Sequence, residues 1–95
     1  MSNLEKKELI RKTVFKSIML ELTSRLNNEI SNENKKKSIE MYAGEQLHII
    51  LRDMGDSELL PNEGIESQKE FENHILKIIN ICKERLLNKL KNEYN

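Results

Sequence analysis

Apolar side chains recur every three to four residues along most of this chain, and no stretch of useful length alternates with period two. That spacing predicts helices and no sheet. Leu4, Ile10, Val14, Phe15, Ile18, Leu22 and Leu26 fall on one side of a helical wheel. Ser2 followed by Glu5 has the spacing of a capping box, with Ser at the N-cap and Glu reaching back to it. The helix should fade in "NNEISNEN", where Asn and Ser side chains compete for backbone hydrogen bonds. A second helix begins between Ser31 and Asn34 and carries the stripe Ile39, Ala43, Leu47, Ile50, Leu51 and Met54. Gly55 stands just past that stripe, where a left-handed C-terminal cap needs glycine. "GDSELLPNEGIE" reads as a loop punctuated by Pro61 and Gly64, with Leu59 and Leu60 forming a short turn that closes the end of the core. Ser67 with Glu70 is a second capping box, and Phe71, Ile75, Ile78, Ile79, Cys82, Leu86 and Leu90 form the third stripe.

The three helices are similar in length, about 30 to 40 Å at 1.5 Å per residue. Short links between such helices favour antiparallel neighbours. The expectation is an all-α single domain over residues 1–95: three long amphipathic helices in an up-down-up bundle. A helical hairpin or open trio completed by a second copy is the rival arrangement.

Composition limits the core. Aromatic residues are 4% and Trp is absent, so Ile, Leu and Met must supply the buried volume. Charged residues at 34% suit long helices with one wet face. Sixteen Lys and Arg balance sixteen Asp and Glu, so the chain lacks the basic excess usual in nucleic-acid binders. No apolar run is long enough for a membrane span, and "MSNLEKKELI" has neither the apolar region nor the cleavage site of a signal peptide. A single Cys permits no intrachain disulfide and suits a reducing compartment, so the expected location is cytoplasmic.

Candidate chemistry is sparse. Glu45 and His48 have the spacing of half a carboxylate-bridged di-iron set, but on the wheel they lie outside the second stripe. Such a site needs two of these motifs and two further carboxylates, all facing inward. His74, four residues after Glu70, is also off its stripe, and both histidines read as surface side chains. Cys82 sits mid-stripe and reads as a small hydrophobe. The three glycines are isolated, which excludes a glycine-rich phosphate loop. No Ser, His and acid stand in a catalytic setting, so the chain is read as no enzyme, with no metal or cofactor. Gly44 lies beside Ala43 on the buried arc, where a missing side chain would let another helix approach closely.

Apolar residues off the stripes suggest contacts. Tyr42 and Ile49 share the outer face of the second helix and are read as a contact with another chain. Leu76, Leu87 and Tyr94 form a second row on the third helix, either a widened core or an oligomer contact, and Leu9 and Leu20 lie on the back of the first. Charge is uneven as well: residues 53–72 hold seven acids and one Lys, and residues 77–91 hold five basic groups and one Glu. In an up-down-up bundle Lys35, Lys36 and Lys37 share an end with Arg85, Lys89 and Lys91, a candidate surface for nucleic acid or another anionic partner. The leading expectation is a small cytoplasmic interaction module, such as a regulator, inhibitor or assembly factor, acting through its apolar helix rows as a homodimer or on a protein partner. Anion or nucleic-acid binding at the basic end is the alternative.

Overall fold

The computed structural model describes residues 2–60 and 67–94. Within them the chain forms four helices: α1 (Asn3–Glu29), α2 (Glu33–Asp53), α3 (Asp56–Leu59) and α4 (Gln68–Tyr94). Among the described residues there is no strand. Pro61 and Gly64, read as loop punctuation, lie outside the described residues.

Local chemistry sets the helix starts. The Ser2 hydroxyl accepts from the Glu5 N–H at 3.1 Å and the Glu5 carboxylate accepts from the Ser2 N–H at 3.4 Å, a complete capping box. Asn32 caps α2, its side-chain oxygen accepting from the Lys35 N–H at 3.0 Å. At the start of α4 the Ser67 hydroxyl accepts from the Glu70 N–H at 3.2 Å. α1 stops at Glu29, inside the Asn- and Ser-rich stretch that was expected to end it.

Long-range contacts fix the topology. The Arg11 Nε donates to the Leu51 carbonyl at 3.3 Å, and Phe15 stacks on His48, so α1 and α2 run antiparallel. Lys89 Nζ donates to Gln46 Oε1 at 2.8 Å and Tyr94 packs on Tyr42, so α2 and α4 also run antiparallel. Lys83 pairs with Glu21 between the parallel α1 and α4. The bundle is therefore up-down-up. It is a rod of 46 × 22 × 18 Å, because two 27-residue helices span its length. Its radius of gyration is 14.7 Å, against about 12 Å for a compact chain of this size.

All three stripes meet on one axis. Ile10, Val14 and Ile18 of α1 pack with Ala43, Leu47, Ile50 and Leu51 of α2 and with Ile78, Ile79, Cys82 and Leu86 of α4. No polar side chain is buried among the described residues. Leu4, assigned to the first stripe, is exposed in the opening turn of α1 and lies outside the core cluster.

α3 closes the bundle where the α2 stripe ends. Its Leu59 is fully buried, and Met54 and Leu60 flank it in the core. Lys7 of α1 pairs with Asp56 at 3.2 Å, and Arg85 of α4 pairs with Glu58 at 3.0 Å. The His74 ring lies with Nε2 at 2.7 Å from the Leu59 carbonyl. A carbonyl only accepts, so the imidazole donates from Nε2. His74 is thus a half-buried tie between α4 and α3, not the free surface side chain its wheel position suggested.

Two glycines differ from expectation. Gly55 has φ −66° and ψ 150° and acts as the N-cap of α3, while Met54 ends α2 in an extended conformation. No left-handed cap forms, because the chain turns straight into α3. At Gly44 a Cβ would meet only Met19 Cε and Phe15 Cζ, each at 4.0 Å, which is ordinary contact. No helix approaches closely enough there to require glycine.

These geometries set opposite expectations for small and large side chains. Gly55→Ala, with open space at its Cβ and a backbone any residue adopts, should stabilise the fold by about 0.4–1 kcal/mol. Gly44→Ala should add about 1 kcal/mol through helix propensity. Leu59→Ala should cost about 2–5 kcal/mol, because it empties the closed end of the core. Urea denaturation midpoints at unchanged m-value would measure all three. Destabilisation by Gly55→Ala would mean that the chain at residue 55 is not extended.

Candidate functional site

Side chains singled out for partner contact do not behave as one group. Tyr42 is half-buried, its ring edge-on to Tyr94 with centroids 5.7 Å apart and planes at 81°. It lies on the α2–α4 seam, so it is not a free anchor on an outer face. Ile49 is half-buried too. Leu76 and Leu87 keep 58% and 49% of their surface, and Tyr94, turned to Tyr42, keeps 44%.

The exposed leucines of two helices form a pattern. Leu9 and Leu20 of α1 are 40% and 63% exposed. On the wheel they lie opposite the buried stripe, on the side that faces out from the α1–α4 pair. Leu76 and Leu87 lie on the flank of α4 next to α1. Each pair spans eleven residues, which is three helical turns and about 16 Å. The two rows are also in register: Leu76 and Leu87 each follow their counterpart by 67 positions, and the parallel α1 and α4 pack at about that offset. A shallow cleft between the rows is lined by Ile18, Leu22, Leu86, Leu87 and Leu90, with Glu21 and Lys83 across it at 2.5 Å. Leu87 thus stands on the cleft wall beside the ion pair, while Leu9 and Leu20 lie farther round α1, on its back. Met41 on α2 is a further exposed apolar residue, 68% accessible, that the sequence reading passed over.

The basic end is looser than expected. Lys36 Nζ sits 2.6 Å from the Glu33 carboxylate, and that hydrogen bond and charge hold Glu33 below the usual carboxylate range. Lys89 is turned to Gln46. Arg85 reaches Glu58 on α3, which follows the C-terminal end of α2, whereas Lys35, Lys36 and Lys37 occupy its first turns. Arg85 thus points away from the lysine triplet. Lys35, Lys37 and Lys91 are exposed.

Of the chemistry-bearing residues, His48 lies against Phe15 with ring centroids 4.3 Å apart and planes at 25°. Cys82 is fully buried between Ile78 and Leu86 on the α4 stripe, and burial pushes its thiol up to about 11. Among the described residues no three His, Cys, Asp or Glu side chains are grouped closely enough to hold a metal ion. Among them, too, no helix is long and apolar enough to cross a membrane. No family model, curated protein or solved structure matches the chain.

The buried thiol has a measurable consequence. The unfolded chain releases this proton near 9.0 and the folded chain only near 11. The native state holds the extra proton in that window, so stability falls as pH rises through it and is unaffected by this group below it. Unfolding free energy measured from below 9.0 to about 11 should decline more steeply in the wild type than in Cys82→Ala. Parallel curves would show that the thiol is not desolvated in the fold.

Proposed function

We propose that this chain is a small cytoplasmic interaction module that self-associates through the α1–α4 face, and that it serves as a regulator, inhibitor or assembly factor in that form. The observation that carries the reading is the exposure of Leu9, Leu20, Leu76 and Leu87 on two neighbouring parallel helices, with Leu87 on the wall of the apolar cleft between them. Single exposed leucines are ordinary on any protein surface. Four of them at matching levels on two parallel helices make a patch of the kind that marks an interface.

A second copy suits this face for two reasons. A two-fold axis along the rod lays α1 of one copy over α4 of the other at equal height, which sets Leu20 against Leu87 and Leu9 against Leu76. The same operation sets Glu21 against Lys83, so opposite charges meet wherever the ion pair is carried across. Cyclic two-fold dimers are the commonest assembly of small soluble chains, and they require such a self-complementary surface. The resulting interface would bring two helices from each copy face to face and would cover the α1–α4 cleft. Desolvated apolar area contributes about 25 cal/mol per Å² before the cost of association.

The placement of Tyr42 and Arg85 lowers the other two candidates. Tyr42 already has an aromatic partner within the chain, and Arg85 is turned from the lysine triplet towards Glu58.

Sedimentation equilibrium over a wide concentration range tests the proposal. The wild type should dimerise. Leu20→Asp and Leu87→Asp, each placing a charge in an apolar patch, should each weaken the dimer about tenfold or more. Helical content should be unchanged in both, since neither side chain belongs to the core cluster. Ile49→Asp should leave assembly as it is. A strict monomer at high concentration, or a dimer indifferent to both leucine substitutions, would refute the reading.

A further inference from the structure

A groove on a different face, between α1 and α2, is lined by Arg11, Lys12, Phe15, His48, Leu51 and Arg52. Its polar side chains are all nitrogen-bearing and three are cationic. The chain as a whole is neutral, so this grouping is a local departure from its average. Among the described residues neither Arg11 nor Lys12 forms an ion pair. Arg52 touches only the neighbouring Asp53, Nε to Oδ1 at 3.7 Å, with both side chains mostly in solvent. Contacts of that kind hold little energy.

The groove is also partly built. Arg11 reaches across to α2, where its Nε donates to the Leu51 carbonyl at 3.3 Å. That bond positions the guanidinium on the wall and uses one of its five N–H donors, so the outer fork remains for a ligand. Phe15 and His48 stack within the lining, and His48 is exposed. An aromatic ring pair therefore lines the same groove as three cationic side chains. The structural role of Arg11, closing the end of α2, accounts for one of the three cations. It leaves Lys12 without an ion pair among the described residues, and Arg52 with only its weak contact to Asp53 and its favourable place in the last turn of α2.

We propose that this groove binds a small phosphate-bearing anion. The outer nitrogens of Arg11, with Lys12 and Arg52, hold phosphoryl oxygens, and the open face of His48 takes a planar group when the ligand carries one. Guanidinium forks suit phosphate because two parallel N–H bonds match two oxygens. The phosphate could be an inorganic polyphosphate or the tail of a nucleotide, and the chemistry at the cations is the same.

Calorimetric titration of the full chain at low ionic strength, first with sodium pyrophosphate, tests the site. The expected result is saturable binding of one pyrophosphate per chain. Lys12→Gln with Arg52→Gln should weaken it about tenfold or more, since charge-assisted bonds are lost. Both positions are exposed, so the double variant should fold. Lys37→Gln with Lys91→Gln removes the same charge elsewhere and should leave the affinity unchanged. A heat that never saturates would overturn the proposal. So would equal weakening by the two double variants, because that is the behaviour of a diffuse field and not of a site. A second arm compares adenosine triphosphate with tripolyphosphate. Tighter binding of the nucleotide, removed by His48→Ala, assigns the groove to nucleotides; equal binding assigns it to inorganic polyphosphate.

Discussion

A core with no buried polar side chain among the described residues has only apolar shape to set its register, and this constraint shapes the rest of the molecule. Ile, Leu and Val along three stripes gain about as much from burial after one helix slides by a turn as before, because desolvation is not directional. Inside the bundle only the fit of apolar side chains favours one alignment. The directional contacts that add to it lie at the rim. Arg11 on the Leu51 carbonyl fixes α1 against α2. Lys89 on Gln46 fixes α2 against α4, and Lys83 with Glu21 fixes α4 against α1. Each is weak alone at a solvated edge, but a slip of one turn would break several together. The fully buried Leu59 adds a further contact at the closed end of the core.

Much of this architecture could be read along the chain. The stripes, the Ser2 and Ser67 caps and the closing role of Leu59 and Leu60 all follow from spacing and side-chain chemistry. What could not be read depended on neighbours. A wheel gives the direction of each side chain about its own axis, but not the height at which two helices meet. Tyr42 therefore looked outward until Tyr94 was placed beside it, and Arg85 looked like part of the basic end until α3 offered Glu58. Gly55 failed for another reason: a glycine after a stripe fits a left-handed cap, yet it serves equally as the extended hinge into a four-residue helix.

The candidate surfaces show the same boundary between what is local and what is not. Leu9, Leu20, Leu76 and Leu87 were each visible as apolar residues off a stripe. That Leu87 borders a cleft shared with α1 depends on the parallel packing of α1 and α4. The groove at Phe15 and His48 was harder to see, because Arg11 and Arg52 are far apart in sequence and neither belongs to a charge run. Only the antiparallel register of α1 and α2 brings them together.

The position of α3 has an electrostatic consequence. With α1 and α4 parallel, the positive ends of two helix macrodipoles lie at the same end of the rod, and α2 opposes only one of them. Two of the acids that made residues 53–72 look like a negative block, Asp56 and Glu58, belong to the small helix that closes that end. Asp56 lies against Lys7 in an early turn of α1, and Glu58 is turned to α4. Asp56 and Glu58 therefore act less as a charged patch than as a counterweight: they offset part of a field that parallel packing creates.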